Sequence, residues 1–509
     1  MARRTGAISG PVAALGLGAA VAALCLLPLW AVARAAGFSG SLTAADWQAV
    51  RFTVVQALLS AVFSVGLAVP IARALARRQF WGRGLFISLL GAPFLLPVLV
   101  AVLGLLAVFG RGGWLNSALA ALGLPPFSIY GLHGVVIAHV FFNLPFAVRL
   151  ILQGWQSIPA ERVRLARTLR APLFRVLEAP MLREVLPSAF ALIFLVCLTS
   201  FAVAITLGGG PRATTLELAI YQAVLFDFDL GRAAQLALVQ YALCALAAGL
   251  AGVLGRQTGF GVGLDRHIAL PGGSAIGDGA AIAAMAVFLL VPLGAALSGG
   301  VWGLAAMPAT VWASAIISVT IALGAVAMVL LVAVPLALAG GKLGRGLATA
   351  VPLASSSLVL GAGAFLLLRG AVRPSDAALA VTMTVNMLMA LPFALRILTP
   401  AADAVRRDYD RLARALRLRG WARLRIVYLP RMRRQIGFAA GLTAALAMGD
   451  LGAIVFFAGE GQATLPLLMQ RLLGAYRVEA AAGVGLVLVT LSFGLFWIFD
   501  SWGRRGAET

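Results

Sequence analysis

The chain has 509 residues, 61% of them hydrophobic and 11% charged, and a formal net charge of +22. A water-soluble globule of this size would leave large apolar patches exposed, so the composition excludes one. The arginines gather in short segments between apolar runs, which sets aside a nucleic-acid binder and fits the positive-inside pattern of an all-α integral membrane protein.

Twelve apolar runs of roughly spanning length follow in chain order, at 11–33, 52–76, 86–110, 131–153, 185–208, 232–254, 280–298, 313–338, 347–369, 378–398, 435–458 and 479–502. They lack the alternation of barrel strands, so they are expected to be helices. The first follows Arg3 and Arg4 and ends near an AVA tripeptide, like a cleavable signal. Its length is that of a full span, and an uncleaved first helix is expected. Arginines concentrate at 73–83, at 161–184 and at 406–434, the last holding eleven. With twelve spans these segments share one side, the cytoplasmic one, and both termini lie there. Cys25, Cys197 and Cys244 each lie in an apolar run and read as buried thiols, and His133, His139 and His267 form no ligand cluster.

The chain repeats itself. LPF at Leu144–Phe146 returns at Leu391, and LARTLR at Leu165–Arg170 returns as LARALR at Leu412–Arg417, both at an offset of 247. Beyond the basic segments, ATTL from Ala213 pairs with ATL from Ala463 at an offset of 250, so the first basic segment is three residues shorter. Each half then holds six spans, and an even number keeps orientation, giving parallel repeats over 1–254 and 280–509. The glycine-rich segment 255–279 reads as the linker.

The second basic segment is expected to form an amphipathic helix, with Leu412, Leu416 and Val427 along an apolar stripe and Arg411, Arg414 and Arg417 beside it. A break follows near Gly420. Alone, such a segment reads as an anchor on anionic lipid. Two copies in register suit a partner that comes as two equivalent subunits.

These segments resemble the EAA loop of binding-protein-dependent ABC importer permeases, E-A-A-x3-G-x9-I-x-L-P. Val427, Leu429 and Pro430 take the closing positions, and Leu412 and Ala413 those of the alanines. Leu165, Ala166 and Pro180 match in the first copy. Arg170 and Arg417 replace the glycine, and Arg164 and Arg411 the glutamate. Wider stretches, from Val50, Leu96, Tyr130 and Leu207, are similar to the fused permease of thiamine ABC importers. The resemblance implies one chain carrying both membrane halves of a type I importer in the bacterial inner membrane. It implies two cytosolic ATPases docked on the loops, through Leu165, Ala166, Arg167, Leu169, Arg170 and Pro180 and through Leu412, Ala413, Arg414, Leu416, Arg417, Gly420, Val427, Leu429 and Pro430. A periplasmic substrate-binding protein would sit on the opposite face.

The residues independently exclude a P-loop on this chain, so the ATP-driven function that the resemblance implies would need a partner chain. A P-loop needs GK followed by Ser or Thr, and Lys342, the only lysine, is followed by Leu343. No cofactor is expected on this chain; ATP and magnesium belong to the partner. Polar residues inside spans mark candidate pathway positions: His139, Asn143 and Ser200 in the first half, Asn386 and Asp450 in the second. The alternative role is interhelical hydrogen bonding. Pro145 and Pro392 are expected to kink or loosen the fourth span of each half. Glu217, Asp227 and Asp229 read as solvated near the outer face. The competing functions are a ferric iron ABC permease, an ion-coupled secondary transporter and a membrane enzyme, for which no catalytic motif is visible.

Overall fold

The computed structural model describes residues 10–36, 42–91, 96–254, 274–339, 341–418, 420–459 and 461–505. Arg3, Arg4 and residues 255–273 of the expected linker lie outside the described residues. Helices α1 to α7 span Gly10–Ala36, Ala44–Arg77, Arg83–Leu89, Val98–Phe109, Trp114–Ala121, Leu132–Gln156 and Ala160–Thr168. Helices α8 to α13 span Ala179–Leu198, Phe201–Leu207, Leu216–Leu225, Leu230–Leu254, Ala275–Gly303 and Val311–Ala339. Helices α14 to α20 span Lys342–Leu353, Ser357–Leu368, Pro374–Ala415, Gly420–Arg423, Leu429–Gly449, Leu465–Gly474 and Val478–Arg504. No strand occurs among the described residues. Among the described residues eleven segments are long and apolar enough to cross a bilayer, and α14 with α15, bent by 91°, make the twelfth if counted together.

The bend corrects the expected span at 347–369. Pro352 has no N–H to continue the ladder. Ser355 Oγ donates to Val351 O at 3.0 Å, and Ser356 Oγ accepts from Val359 N at 3.1 Å, so the freed backbone groups find partners inside the fold. The span expected at 86–110 is also displaced: Arg83–Leu89 is a separate short helix, and the long apolar segment runs Val98–Ala121. The spans expected at 185–208 and 435–458 start early and stop early, α8 ending at Leu198 and α18 at Gly449. The tenth runs on to Ala415, so the start of the second basic segment is helix. Helices α6 and α16 continue unbroken through Pro145 and Pro392. Residues 274–279, expected as linker, open α12, where Ser274 Oγ accepts from Gly277 N at 3.2 Å.

The chain divides into two compact units. One holds α1, Ile220–Ala245 and the described chain from Ala306; the other holds Leu42–Ala219 and Leu246–Ala305. Each therefore mixes the sequence halves. Lipid tails are as apolar as leucine, so helices in a bilayer associate through close packing of small residues. In the first unit a Cβ on Gly18 of α1 would lie 2.3 Å from the Gly344 carbonyl oxygen, and one on Gly363 would lie 2.5 Å from that of Pro28. In the second unit, a Cβ on Gly104 of α4 would lie 2.2 Å from the carbonyl oxygen of Pro292 in α12. Helix α2 buries Ala57, Ala61, Ala68 and Ala72, with Thr53, Gln56, Ser60 and Ser64 on the same face.

The repeat is visible in a shared joint. Thr53 Oγ accepts from Leu216 N at 2.8 Å, and Ser318 Oγ accepts from Leu465 N at 2.8 Å. Each caps the short helix that follows a broken span. Thr53 with Ser318, and Pro70 with Pro335, set α2 and α13 in one register.

Candidate functional site

Each basic segment folds as a ledge of the same design. A helix ends in a Schellman turn, in which the sixth N–H returns to the first carbonyl. In the first ledge Ala171 N donates to Ala166 O at 2.9 Å; in the second Leu418 N donates to Ala413 O at 2.9 Å. The residue before each donor must be left-handed, and it is Arg170 at φ 51° and Arg417 at φ 53°. Arginine thus occupies the conformation that favours glycine at the same point of the resembled motif. The break expected near Gly420 therefore begins at Arg417, and Gly420 adds a second left-handed residue at φ 52°.

Non-glycine residues lose roughly 1 kcal/mol or more in the left-handed region. Arg170→Gly and Arg417→Gly are each expected to stabilise the turn by up to about 1 kcal/mol. Thermal unfolding of the purified chain checks this; a lowered midpoint would contradict the strained-turn account.

A five-residue π-helical segment follows each turn, Phe174–Glu178 and Leu424–Tyr428. Each leads into a helix whose second residue is proline, Pro180 or Pro430. The proline ring crowds the carbonyl four residues back, at Val176 or Ile426, and the widened turn moves that carbonyl aside. The three-residue difference between the ledges is taken up between the left-handed arginine and the π segment, where the second ledge inserts α17.

The apolar stripe expected on the second ledge does not form. Val427 is buried, whereas Leu412 and Leu416 are 54% and 61% exposed. The cause is that Ala413 faces inward beside Val427 and Tyr428, which turns its neighbours outward. The first ledge agrees: Ala166 is buried, and Leu165 and Leu169 are 60% and 69% exposed. Val176 and Ile426 extend both apolar surfaces. Arg167, Arg170, Arg414 and Arg417 are exposed, as are Pro180 and Pro430, and Leu429 is half-buried.

The intramembrane polar residues fall into two groups. In the second unit His139 is buried between serines: Nδ1 lies 3.2 Å from Ser60 Oγ, and Nε2 contacts Ser200 Oγ. A hydroxyl can donate or accept, so either neutral tautomer is satisfied. Asn143 Nδ2 donates to His139 O at 2.9 Å and Cys197 Sγ at 3.3 Å, and Gln56 Nε2 donates to Cys197 O at 2.9 Å. Sequence reading missed Gln56 and Ser60; their four-residue spacing with Ser64, inside an apolar run, was the available signal. Ser200 sits in the break between α8 and α9. In the first unit Asn386 Nδ2 donates to Ala447 O at 3.4 Å. Asp450 sits where α18 unwinds, and its carboxylate accepts from Ser357 and from the N–H groups of Gly452 and Ala453. Its Oδ2 is buried without a hydrogen-bond partner.

Glu217, expected to be solvated, is buried at the start of α10. Asp227 pairs with Arg232 at 3.0 Å, and Asp229 Oδ1 accepts from Arg232 N at 2.9 Å. Among the described residues no group of three His, Cys, Asp or Glu side chains could hold a metal.

No family model matches the chain. It is 38% identical to the thiamine transport system permease protein ThiP of Brucella abortus, across 98% of this chain and 97% of that one. It is 38% identical to the proteins of the same description from Salmonella typhimurium and Escherichia coli, across 91% of this chain and 90% of each. A sulfate transport system permease protein, CysW of Synechocystis, is 36% identical over 24% of this chain and 44% of its own length.

Proposed function

The chain belongs to the family of thiamine transport system permeases, and from that membership we propose how it works. It is the membrane-spanning subunit of an ABC importer and performs no chemistry of its own. Its cargo is thiamine, and ATP is hydrolysed on two cytosolic subunits seated on the two ledges. A soluble substrate-binding protein delivers cargo on the opposite face. The arginine-rich segments then lie on the cytoplasmic side of the inner membrane, with both termini. The relatives that match over nearly full length are thiamine permeases, which disfavours the ferric iron alternative.

The observation that carries the reading is the duplicated ledge: the same Schellman turn, left-handed arginine, π segment and outward leucines in both halves of one chain. ATP-driven closure of the motor draws the ledges together and rocks the membrane helices; hydrolysis resets them. Coupling requires that the ATPases bind one membrane state more tightly than the other. In the pathway, Asp450 suits a cationic cargo, because thiamine carries a quaternary thiazolium and the carboxylate keeps one oxygen free of hydrogen bonds. His139, Asn143 and Asn386, within α6 and α16, and Ser200, at the break between α8 and α9, are the further pathway candidates.

The test is reconstitution of the chain with its ATPase and binding protein in liposomes. ATP hydrolysis and uptake are expected to rise only when the binding protein is loaded with thiamine. Equal stimulation by an iron-loaded binding protein, or uptake by the chain without ATPase, would overturn the reading.

A further inference from the structure

Glu178 closes the π segment of the first ledge and is buried, although docking a motor requires no buried acid. Its Oε2 lies 2.6 Å from Arg73 Nε, and its Oε1 accepts from Arg73 Nη2 at 3.1 Å. Arg73 also lies over the ring of Phe174, 5.3 Å from its centroid, at the other end of the same segment. One turn further along α2, Arg77 sits 3.9 Å from the Glu178 carboxylate and 4.0 Å from that of Asp278. Arg78 Nε donates to Asp278 Oδ2 at 2.8 Å. The end of α2 is thus held by the ledge on one side and by the first turn of α12 on the other. Arg77, Glu178 and Asp278 keep only 8%, 3% and 13% of their side chains exposed. Ions so placed lose much of their hydration, so the cluster is weak grounds for stability and better grounds for a role in positioning.

Among the described residues, the π segment of the second ledge carries no buried acid. In the register set by Thr53 with Ser318 and Pro70 with Pro335, Arg73 corresponds to Leu338; alignment of the π segments sets Glu178 against Tyr428. Leu338 and Tyr428 pack in one apolar cluster. The Tyr428 hydroxyl accepts from Arg423 Nη2 at 3.2 Å, and Arg423 pairs with Asp410, both within the ledge itself. Arg406 Nη2 donates to Leu338 O at 2.7 Å. It also donates to Ala337 O at 3.3 Å, and Arg406 and Arg345 of α14 each lie 3.6 Å from Asp403, which is 42% exposed and precedes the ledge turn. The π segment itself meets α13 through packing, with no buried acid.

We propose that the Arg73–Glu178–Arg77–Asp278 chain is an ionic clamp carrying the movement of the first ledge to α2 and α12, while the π segment of the second ledge meets its helices through apolar packing. Two ledges that look alike to the motor thus transmit force by different chemistry. A carboxylate held by two guanidinium groups fixes distance and direction, whereas apolar packing can slide. Glu178 is a positioning residue: it touches neither cargo nor nucleotide. The proposal rests on the docking role given to the ledges above.

The test uses the full importer in liposomes and reads three quantities: complex yield, ATP hydrolysis and thiamine moved per ATP. Glu178→Gln is expected to keep yield and hydrolysis while thiamine per ATP falls about tenfold, within the range reported for coupling mutations. Tyr428→Phe, which keeps the ring, is expected to stay near the unsubstituted level, and Glu178→Asp to recover most of the coupling. Unchanged coupling in Glu178→Gln, or an equal loss in Tyr428→Phe, overturns the clamp. If Glu178→Gln does not accumulate, Arg73→Gln decides, since Arg77 still faces the acid: reduced coupling supports the clamp and full coupling overturns it. An unsubstituted complex whose ATPase ignores the loaded binding protein removes the docking reading, and the clamp with it.

Discussion

Placing aspartate at both Leu412 and Leu416 is expected to strip the ATPase from the second ledge while leaving the chain inserted and folded. The two leucines are 54% and 61% exposed at the end of α16, whereas Ala413 between them is buried against the π segment. Nothing in the fold needs the leucines, so their substitution spares the core. A partner that closes over them gains apolar contact, and truncating such a central anchor costs about 2 kcal/mol or more, roughly thirtyfold in affinity. A buried aspartate adds desolvation to that loss. Reversing Arg414 and Arg417 is expected to act more gently, through association rate and salt dependence. Arg414 already lies 3.9 Å from Asp410 and is largely exposed. Co-purification of the ATPase with each variant, at two ionic strengths, separates these effects. Undiminished recovery with the double aspartate variant would show that the leucines do not meet the motor.

The second large effect is expected from Gly344→Leu. A Cβ there would lie 2.0 Å from the carbonyl oxygen of Ala14 and 2.3 Å from its carbon, and both are backbone atoms that cannot rotate away. Helices α1 and α14 must separate, and the buried Ala14, Val21 and Cys25 lose their contacts. Overpacking typically costs 1–3 kcal/mol, and contact of two backbones belongs at about the upper end, ~3 kcal/mol. Gly346→Leu and Gly16→Leu are the controls: they lie on the same two helices, and nothing stands within 4 Å of the added atom. Unfolding midpoints in detergent should fall for Gly344→Leu and hold for both controls. Equal behaviour of the three would mean that α1 does not dock at this point.

The ledges illustrate what was legible and what was not. The repeated phrase located both, and the arginines at the glycine position left open how the chain turns there. The structure answers with a left-handed arginine in each copy and Schellman hydrogen bonds around it. Periodicity placed Leu412 and Leu416 on a stripe with Val427 despite a break expected near Gly420; the turn already at Arg417 interrupts the period, and the leucines face out. The span at 347–369 failed for a related reason. Its composition is mostly apolar, but the serines at 355–357 replace the backbone ladder, and that permits the bend after Leu353.

The sequence by itself determined the class of molecule, the approximate places of most of its apolar helices, the repeated phrases and the two basic segments. These are readable because the bilayer acts on every residue alike: length, apolarity and arginine placement are judged against one common solvent. Only the tertiary structure decided which helices pair, where spans break, and which charges meet. Helix α1 lies against α14 because glycines allow two backbones to touch, and Glu178 meets Arg73 across 105 positions of chain. Such choices depend on close approach between distant segments, which no local pattern of residues encodes.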